Sequence, residues 1–128
     1  DRRIKRLPDA ELSVMLAVWE LAHEKPLSRA QIAEKLTDKK WNAVTLNTLL
    51  MRLTERGFLE VSREGRANCY RPLISREEYL TVENRSFLDR LYGSSIRDFV
   101  AAMCEERGMK PEELDELREY LNSLKADR

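Results

Sequence analysis

The strongest constraint on the fold of this chain is a helical pattern between residues 42 and 56. Apolar side chains recur there at the three- and four-residue spacing of one helix face, at Leu46, Leu49, Leu50 and Leu53. Asn42 is a favourable N-cap, and Gly57 suits the left-handed position that often follows a last helical turn. The pattern therefore predicts an amphipathic helix whose leucine face is buried.

The opposite face of this helix has no Asp or Glu before Glu55 in the last turn. It consists of Val44, Asn47, Thr48 and Met51, with Thr45 and Arg52 at one margin. In a chain with 36% charged residues, an exposed helix would normally include acidic side chains. Their absence favours a helix that approaches DNA, where these residue types bind phosphates, base edges and thymine methyl groups. The alternative is that small polar side chains simply solvate the helix.

Two short strand patterns follow directly, at residues 58–62 and 67–71, with a turn at 63–66 between them. Glycine in this turn tolerates the positive φ that a tight hairpin needs. A hairpin directly after such a helix predicts a winged helix-turn-helix. Arg63 and Arg66 at its tip are candidate phosphate contacts, and the alternative is a tip that is charged only because it is wet.

Two further helices are predicted upstream. One begins after Pro8, which suits a first turn, and the other begins at a capping box formed by Ser28 and Gln31. The polar connector before the third helix contributes Lys39 and Lys40, two more candidate phosphate contacts.

Three helices are predicted after the hairpin. The first opens at a capping box that begins at Ser75, carries Tyr79 among its apolar residues and ends at Gly93. The second ends at Gly108, and Pro111 begins the third.

So many apolar residues on three short helices are difficult to enclose within one chain. We therefore expect this region to pair with a second copy, so that the protein is a homodimer. The predicted dimerisation residues are Phe87, Leu91, Ile96, Phe99, Val100, Met103, Leu114, Leu117 and Leu121. A self-contained six-helix monomer is the alternative.

The formal net charge of zero conceals an asymmetry. Residues 1–74 contain 14 Lys and Arg against 10 Asp and Glu, whereas residues 75–128 contain 9 against 13. A basic first half suits a polyanionic partner, and the acidic second half does not. No apolar run approaches the roughly 18–20 residues of a membrane span, and no leader pattern opens the chain, so we expect a cytoplasmic protein without membrane insertion.

Metal binding and catalysis have no candidate residues. Cys69 and Cys104 form no C-x-x-C motif, and His23 is the one histidine, so we expect no metal and no cofactor. Cys104 lies on an apolar helix face, which favours a packed thiol. No arrangement typical of nucleophilic or acid–base catalysis is visible, so we do not expect an enzyme.

The chain resembles the BlaI/MecI/CopY (penicillinase repressor) family of winged-helix transcriptional regulators. The most specific segments are WNAVTLNTLLMRL at 41–53 and RGFL at 56–59. Further similarity lies in LPDAELSVM at 7–15, in the wing sequences EGR at 64–66 and YRP at 70–72, and in SFLDRLYG at 86–93.

This resemblance implies a homodimeric repressor of palindromic operators. In one branch of the family, a membrane sensor-protease triggers cleavage at an Asn-Phe bond, and Ala102-Met103 aligns there in this chain. In the copper branch, a C-terminal cysteine cluster binds metal, and this chain ends without that cluster. Lysine is common in the family at the position of Val44, and a serine cap is usual where this chain has Pro8.

The combined hypothesis is a mostly α fold with a small β-hairpin. Residues 1–74 form a winged-helix DNA-binding domain, and residues 75–128 form a helical dimerisation domain. The predicted partners are a double-stranded inverted-repeat operator, a second copy of the chain, and a sensor protease or another inducing partner. The predicted DNA contacts are Lys39, Lys40, Asn42, Val44, Thr45, Asn47, Thr48, Arg52, Arg63 and Arg66. The rival hypothesis is a winged-helix module that binds a protein and does not bind DNA specifically.

Overall fold

The computed structural model describes residues 4–22 and 24–126, and in them it contains six α-helices and one three-stranded sheet. The helices are α1 (Asp9–Leu21), α2 (Arg29–Lys35), α3 (Ala43–Glu55), α4 (Arg76–Tyr92), α5 (Ile96–Arg107) and α6 (Pro111–Ala126). The strands are β1 (Leu27–Ser28), β2 (Leu59–Glu64) and β3 (Ala67–Pro72). Two compact units divide the chain within α4, between Asn84 and Arg85.

The first unit is built on the buried leucine face of α3. The four leucines of this face are all 5% exposed or less, which confirms the amphipathic prediction. They pack with apolar residues of α1, α2 and the sheet, including Val14, Met15, Val18, Ile32 and Leu59. Burial of one helix face by neighbouring elements leaves the opposite face of α3 available to solvent.

Local capping explains where these helices begin and end. At α2 the capping box is complete, because the Gln31 N–H donates to Ser28 Oγ at 3.1 Å and the Ser28 N–H donates to Gln31 Oε1 at 2.8 Å. At α3 the Thr45 N–H donates to Asn42 Oδ1 at 2.8 Å. Gly57 follows with a φ of +82°, as the C-terminal prediction required.

The sheet has the order β1-β3-β2 and is antiparallel. Its hairpin is longer than the sequence predicted, since β2 continues to Glu64, which pairs with Ala67. The turn is therefore the two residues Gly65 and Arg66, with a φ of +66° at the glycine. Strand β1 was not predicted, and it pairs Leu27 with Tyr70.

The start of α4 belongs to the first unit. Tyr79 is 1% exposed, and its ring lies 5.6 Å from that of Trp19 and 5.7 Å from that of Phe58. The Trp19 indole N–H donates to the Ile74 carbonyl at 2.8 Å, just before α4. Grouping Tyr79 with the apolar residues of the dimerisation helices was therefore wrong, because its ring completes the core around α1.

The second unit contains the end of α4, with α5 and α6. Three aromatic rings, those of Phe87, Tyr92 and Phe99, lie 5.5–5.9 Å apart, mostly edge to face. Ser95 caps α5 by accepting a bond from the Asp98 N–H at 3.1 Å. No side chain described between residues 85 and 126 is buried. This unit therefore has no closed core of its own within one chain.

Across the part of the chain that the structure describes, no helix combines the length and the apolar character needed to cross a membrane.

Candidate nucleic-acid interface

Most of the outward face of α3 is exposed to solvent. Val44 is 72% exposed and Met51 is 55% exposed. Thr45, Asn47 and Arg52 are exposed as well. Because Leu46, Leu49, Leu50 and Leu53 anchor the other side, this face is held by a rigid element, as a surface that reads base edges must be.

Two predicted DNA contacts, the N-cap residue Asn42 and Thr48 of α3, already form hydrogen bonds with the backbone of α3. The Oδ1 of Asn42 accepts the capping bond from Thr45, so the amide NH₂ is what remains available to a ligand. Thr48 is half-buried, and its hydroxyl donates to the Val44 carbonyl at 3.0 Å. Asn42 is therefore suited to donating to phosphate, and Thr48 to accepting a bond or to contact through its methyl group.

The two predicted lysines lie just before α3 and are exposed. Lys39 ends a 3₁₀ turn that spans Thr37–Lys39. Lys40 has a φ of +58°, in the left-handed region that side chains other than glycine, asparagine and aspartate rarely occupy. Lys40 thus caps the 3₁₀ turn in a left-handed conformation, two residues before the Asn42 cap of α3.

The wing presents both predicted arginines to solvent. The Arg63 guanidinium donates to the Arg66 carbonyl at 3.2 Å and so bridges the two-residue turn. Arg63 therefore shapes the tip as well as contributing charge.

A cleft of about 690 Å³ separates α3 from the wing. On one side are Asn47 and Met51 of α3, and on the other are Val61 and Asn68 of the hairpin. Arg29, at the start of α2, lines the same cleft. The fold thus brings the outward face of α3 and the hairpin to one surface.

Sequence reasoning missed Arg29 and Asn68 as parts of this surface. Arg29 follows the Ser28 cap directly, so a basic residue at the first turn of the second helix was the available signal. No comparable signal marked Asn68. Glu55 also lines the cleft and places one carboxylate at the end of an otherwise acid-free face.

The predicted dimerisation residues all lie in the second unit. Leu91, Ile96, Met103, Leu114 and Leu121 are exposed, between 38% and 66%. The others, Phe87, Phe99, Val100 and Leu117, are half-buried. Among the described residues, this is the largest collection of exposed apolar side chains on consecutive helices.

Residues 4–22 and 24–126 contain no group of three or more His, Cys, Asp or Glu that would hold a metal ion. Cys69 is buried and Cys104 is half-buried, and both are free thiols. The Cys104 Sγ lies 3.6 Å from the Met109 Sδ. His23 lies outside the described residues.

Comparison with known proteins identifies the family. A family model described as penicillinase repressor matches residues 7–123. The chain is 32% identical to the penicillinase repressor of Bacillus licheniformis, over 97% of this chain and 95% of that protein. It is 25% identical to the methicillin resistance regulatory protein MecI of Staphylococcus aureus (strain N315), over 95% of this chain and 98% of that protein.

A solved structure of a relative is similar as well. It is the solution structure of the DNA binding domain of the repressor BlaI, with a TM-score of 0.51 and 31% sequence identity. The similarity covers 62% of this chain and 94% of that structure. On the sequence match over nearly its whole length, the chain belongs to the penicillinase repressor family.

Proposed function

We propose that this protein represses transcription by binding, as a homodimer, to an inverted-repeat DNA operator. The observation that carries the proposal is the face of α3, which is exposed, free of carboxylates up to Glu55, and backed by a fully buried leucine face. The names of relatives support it, since they are repressors and one solved relative is a DNA binding domain.

In this proposal α3 enters the major groove, which admits a helix and displays a distinct pattern at each base pair. Thr45, Asn47 and Arg52 reach base edges or neighbouring phosphates. Lys39, Lys40, Arg63 and Arg66 neutralise phosphates on either side of the groove.

The two halves of the chain have separate tasks in the proposal. The first unit binds DNA and the second unit dimerises, so the boundary lies within α4, before Arg85, and not at Ser75 as the sequence predicted. Support for the second task is the absence of any buried side chain among those described in the second unit. A second copy would cover the exposed leucines, and twofold symmetry would present two α3 helices to half-sites roughly 34–36 Å apart.

The proposal places the protein in the cytoplasm and assigns it binding rather than catalysis. Release from DNA then requires an inducing partner, such as a sensor protease. Ala102 is half-buried and Met103 is 40% exposed, on α5. Because Ala-Met replaces the Asn-Phe bond expected from the resemblance, a protease acting there would need a different specificity.

The decisive experiment is selection of duplexes from a random-sequence library by the purified full chain, followed by sequencing. The proposal expects an enriched inverted repeat. It also expects binding to weaken about 10³-fold or more between 50 and 200 mM salt, because several phosphates are contacted.

The rival function, a module that docks a protein through α3, makes the opposite prediction. It expects no enriched motif and no steep dependence of DNA affinity on salt. Either result would overturn the proposed function.

A further inference from the structure

One charged side chain is buried in the part of the chain that the structure describes. Glu11, in the first turn of α1, is 3% exposed. Burial of a carboxylate is costly unless a charge or a hydrogen-bond donor compensates it. Its surroundings therefore indicate what the fold gains by keeping it there.

The compensating group comes from the end of α3. The Arg56 Nε lies 2.7 Å from Glu11 Oε1, and the Arg56 side chain is 42% exposed. Among the described residues, no donor makes a well-aligned hydrogen bond to this Oε1, so the contact is an ion pair. Arg56 is the C-cap residue of α3.

The placement of both charges suits the helices that carry them. A carboxylate is favourable in the first turn of α1, where the helix dipole is positive, and a guanidinium is favourable at the end of α3, where it is negative. The ion pair thus links the beginning of α1 to the end of α3.

The remaining contacts of α3 with the core are made by leucines. Apolar contacts are not directional, so the leucine stripe determines mainly which face of α3 is buried. A buried ion pair has a defined geometry, and breaking it leaves an uncompensated charge. The contact between Glu11 and Arg56 therefore adds a directional link between the start of α1 and the end of α3 to the apolar contacts of the leucines.

We infer that Glu11 is a positioning residue for DNA reading, which acts through Arg56 to hold α3 in the register that its base contacts require. This inference rests on the proposed function. It assigns Glu11 no contact with DNA, since the Glu11 side chain is buried and contacts α3 through the C-cap residue Arg56.

The test compares Glu11→Gln with Glu20→Gln in the full chain. Glu20 is a matched control, because it also lies on α1 and pairs with a lysine, Lys35, at 2.9 Å, but that pair is exposed and does not involve α3. Each variant is first shown to be folded by circular dichroism at the temperature of the binding measurements. Affinity is then measured for the duplex selected by the wild type and for a scrambled duplex of the same composition.

The expected result is that Glu11→Gln lowers the ratio of the two affinities about tenfold, the equivalent of one base contact. The affinity of Glu11→Gln for the selected duplex should depend on salt concentration as in the wild type, because no phosphate contact is removed. Glu20→Gln leaves the ratio as in the wild type. A purely structural role for Glu11 would lower the melting temperature and leave the ratio intact.

A double variant, Glu11→Leu with Arg56→Leu, keeps the test decisive if Glu11→Gln does not fold. Replacing a buried ion pair with apolar residues is often neutral or stabilising, so this variant is expected to fold and still to lose discrimination. An unchanged ratio in either folded variant overturns the inference alone. A wild type that does not distinguish the two duplexes overturns the proposed function itself, and the inference with it.

Discussion

The backbone N–H of Leu7 donates a 2.8 Å hydrogen bond to the phenolic oxygen of Tyr79, 72 residues later in the chain. The Tyr79 hydroxyl in turn donates to the Glu83 carboxylate, which also accepts a 3.0 Å bond from the Arg6 Nε. The segment before α1 is therefore fastened to the start of α4. Both Leu7 and Tyr79 are buried, so the phenol provides a partner that water cannot replace.

Tyr79→Phe keeps the ring and removes this partner. The Leu7 N–H then stays buried without an acceptor, so we expect the free energy of unfolding to fall by about 1–3 kcal/mol. Urea denaturation should show a lower midpoint with an unchanged slope. Tyr120→Phe is the control, because Tyr120 is 59% exposed, and it should change the midpoint little. A Tyr79→Phe midpoint equal to that of the wild type would mean that the bond contributes nothing.

The same hydroxyl predicts a loss of stability at alkaline pH. Burial raises the pKa of Tyr79 from 10.0 to about 12, and its hydrogen bond to Glu83 adds to the rise. The folded state therefore holds the phenolic proton more tightly than the unfolded state. The contribution of the protonated Tyr79 to the free energy of unfolding is complete below pH 10 and is lost as the pH approaches about 12.

The measurement is the difference in unfolding free energy between the wild type and Tyr79→Phe from pH 9 to pH 12. Other titrating groups are common to both proteins and cancel. The difference should be constant at first and should narrow above pH 10. A difference that widens over this range would contradict the direction of the shift.

Most helix boundaries were predictable because they depend on local chemistry. Ser28, Asn42, Ser75 and Gly57 determine caps through residues three or four positions away, which a sequence displays directly. Strand β1 was not predictable, since two residues have no periodicity and their pairing partner lies in the distant hairpin.

The exposed face of α3 was also predictable, because helical periodicity separates exposed from buried positions. What the sequence does not show is how tertiary packing uses particular groups. The pairing of Glu11 with Arg56 and the place of Arg29 in the cleft depend on residues that are distant in the chain. The left-handed backbone at Lys40 depends on how the loop connects α2 to α3.

Lys40→Gly should raise the stability of the fold and weaken its binding to DNA. Glycine removes the side-chain strain of a φ of +58°, so we expect a gain of about 0.5–1 kcal/mol in the free energy of unfolding. The lost charge should weaken operator binding and reduce the magnitude of the log–log salt slope by about 0.9, if Lys40 contacts a phosphate.

Lys39→Gly is the matched control, since Lys39 ends the 3₁₀ turn and is not left-handed. It removes the same charge with no strain to relieve, so stability should not rise. Equal stability changes in the two variants, measured by thermal unfolding, would contradict the assigned strain.

Arg52→Ala should weaken operator binding by about 1–3 kcal/mol. If Arg52 reads a base, the loss is confined to duplexes with the native base at one operator position. If it holds a phosphate, binding weakens across sequences and the salt slope falls by about 1. Arg90→Ala, which removes an exposed charge from the second unit, is the control. Fluorescence anisotropy with operator duplexes that differ at single positions distinguishes these outcomes. If Arg52→Ala bound all of these duplexes as tightly as the wild type, Arg52 would not contact the DNA.

Leu121→Glu tests whether the exposed face of α6 is the dimer contact. Leu121 is 53% exposed in the single chain, so a carboxylate there costs the monomer little. In a dimer it would be buried without a partner, which should raise the dissociation constant by roughly 30-fold or more, about 2 kcal/mol. Asn122→Glu adds the same charge about 100° further around α6, outside the apolar stripe that contains Leu121, and should leave dimerisation intact. Sedimentation equilibrium provides the constants, and DNA footprints should shrink from two half-sites to one as the dimer dissociates. If Leu121→Glu remained as dimeric as Asn122→Glu, the contact would have to lie elsewhere in the second unit.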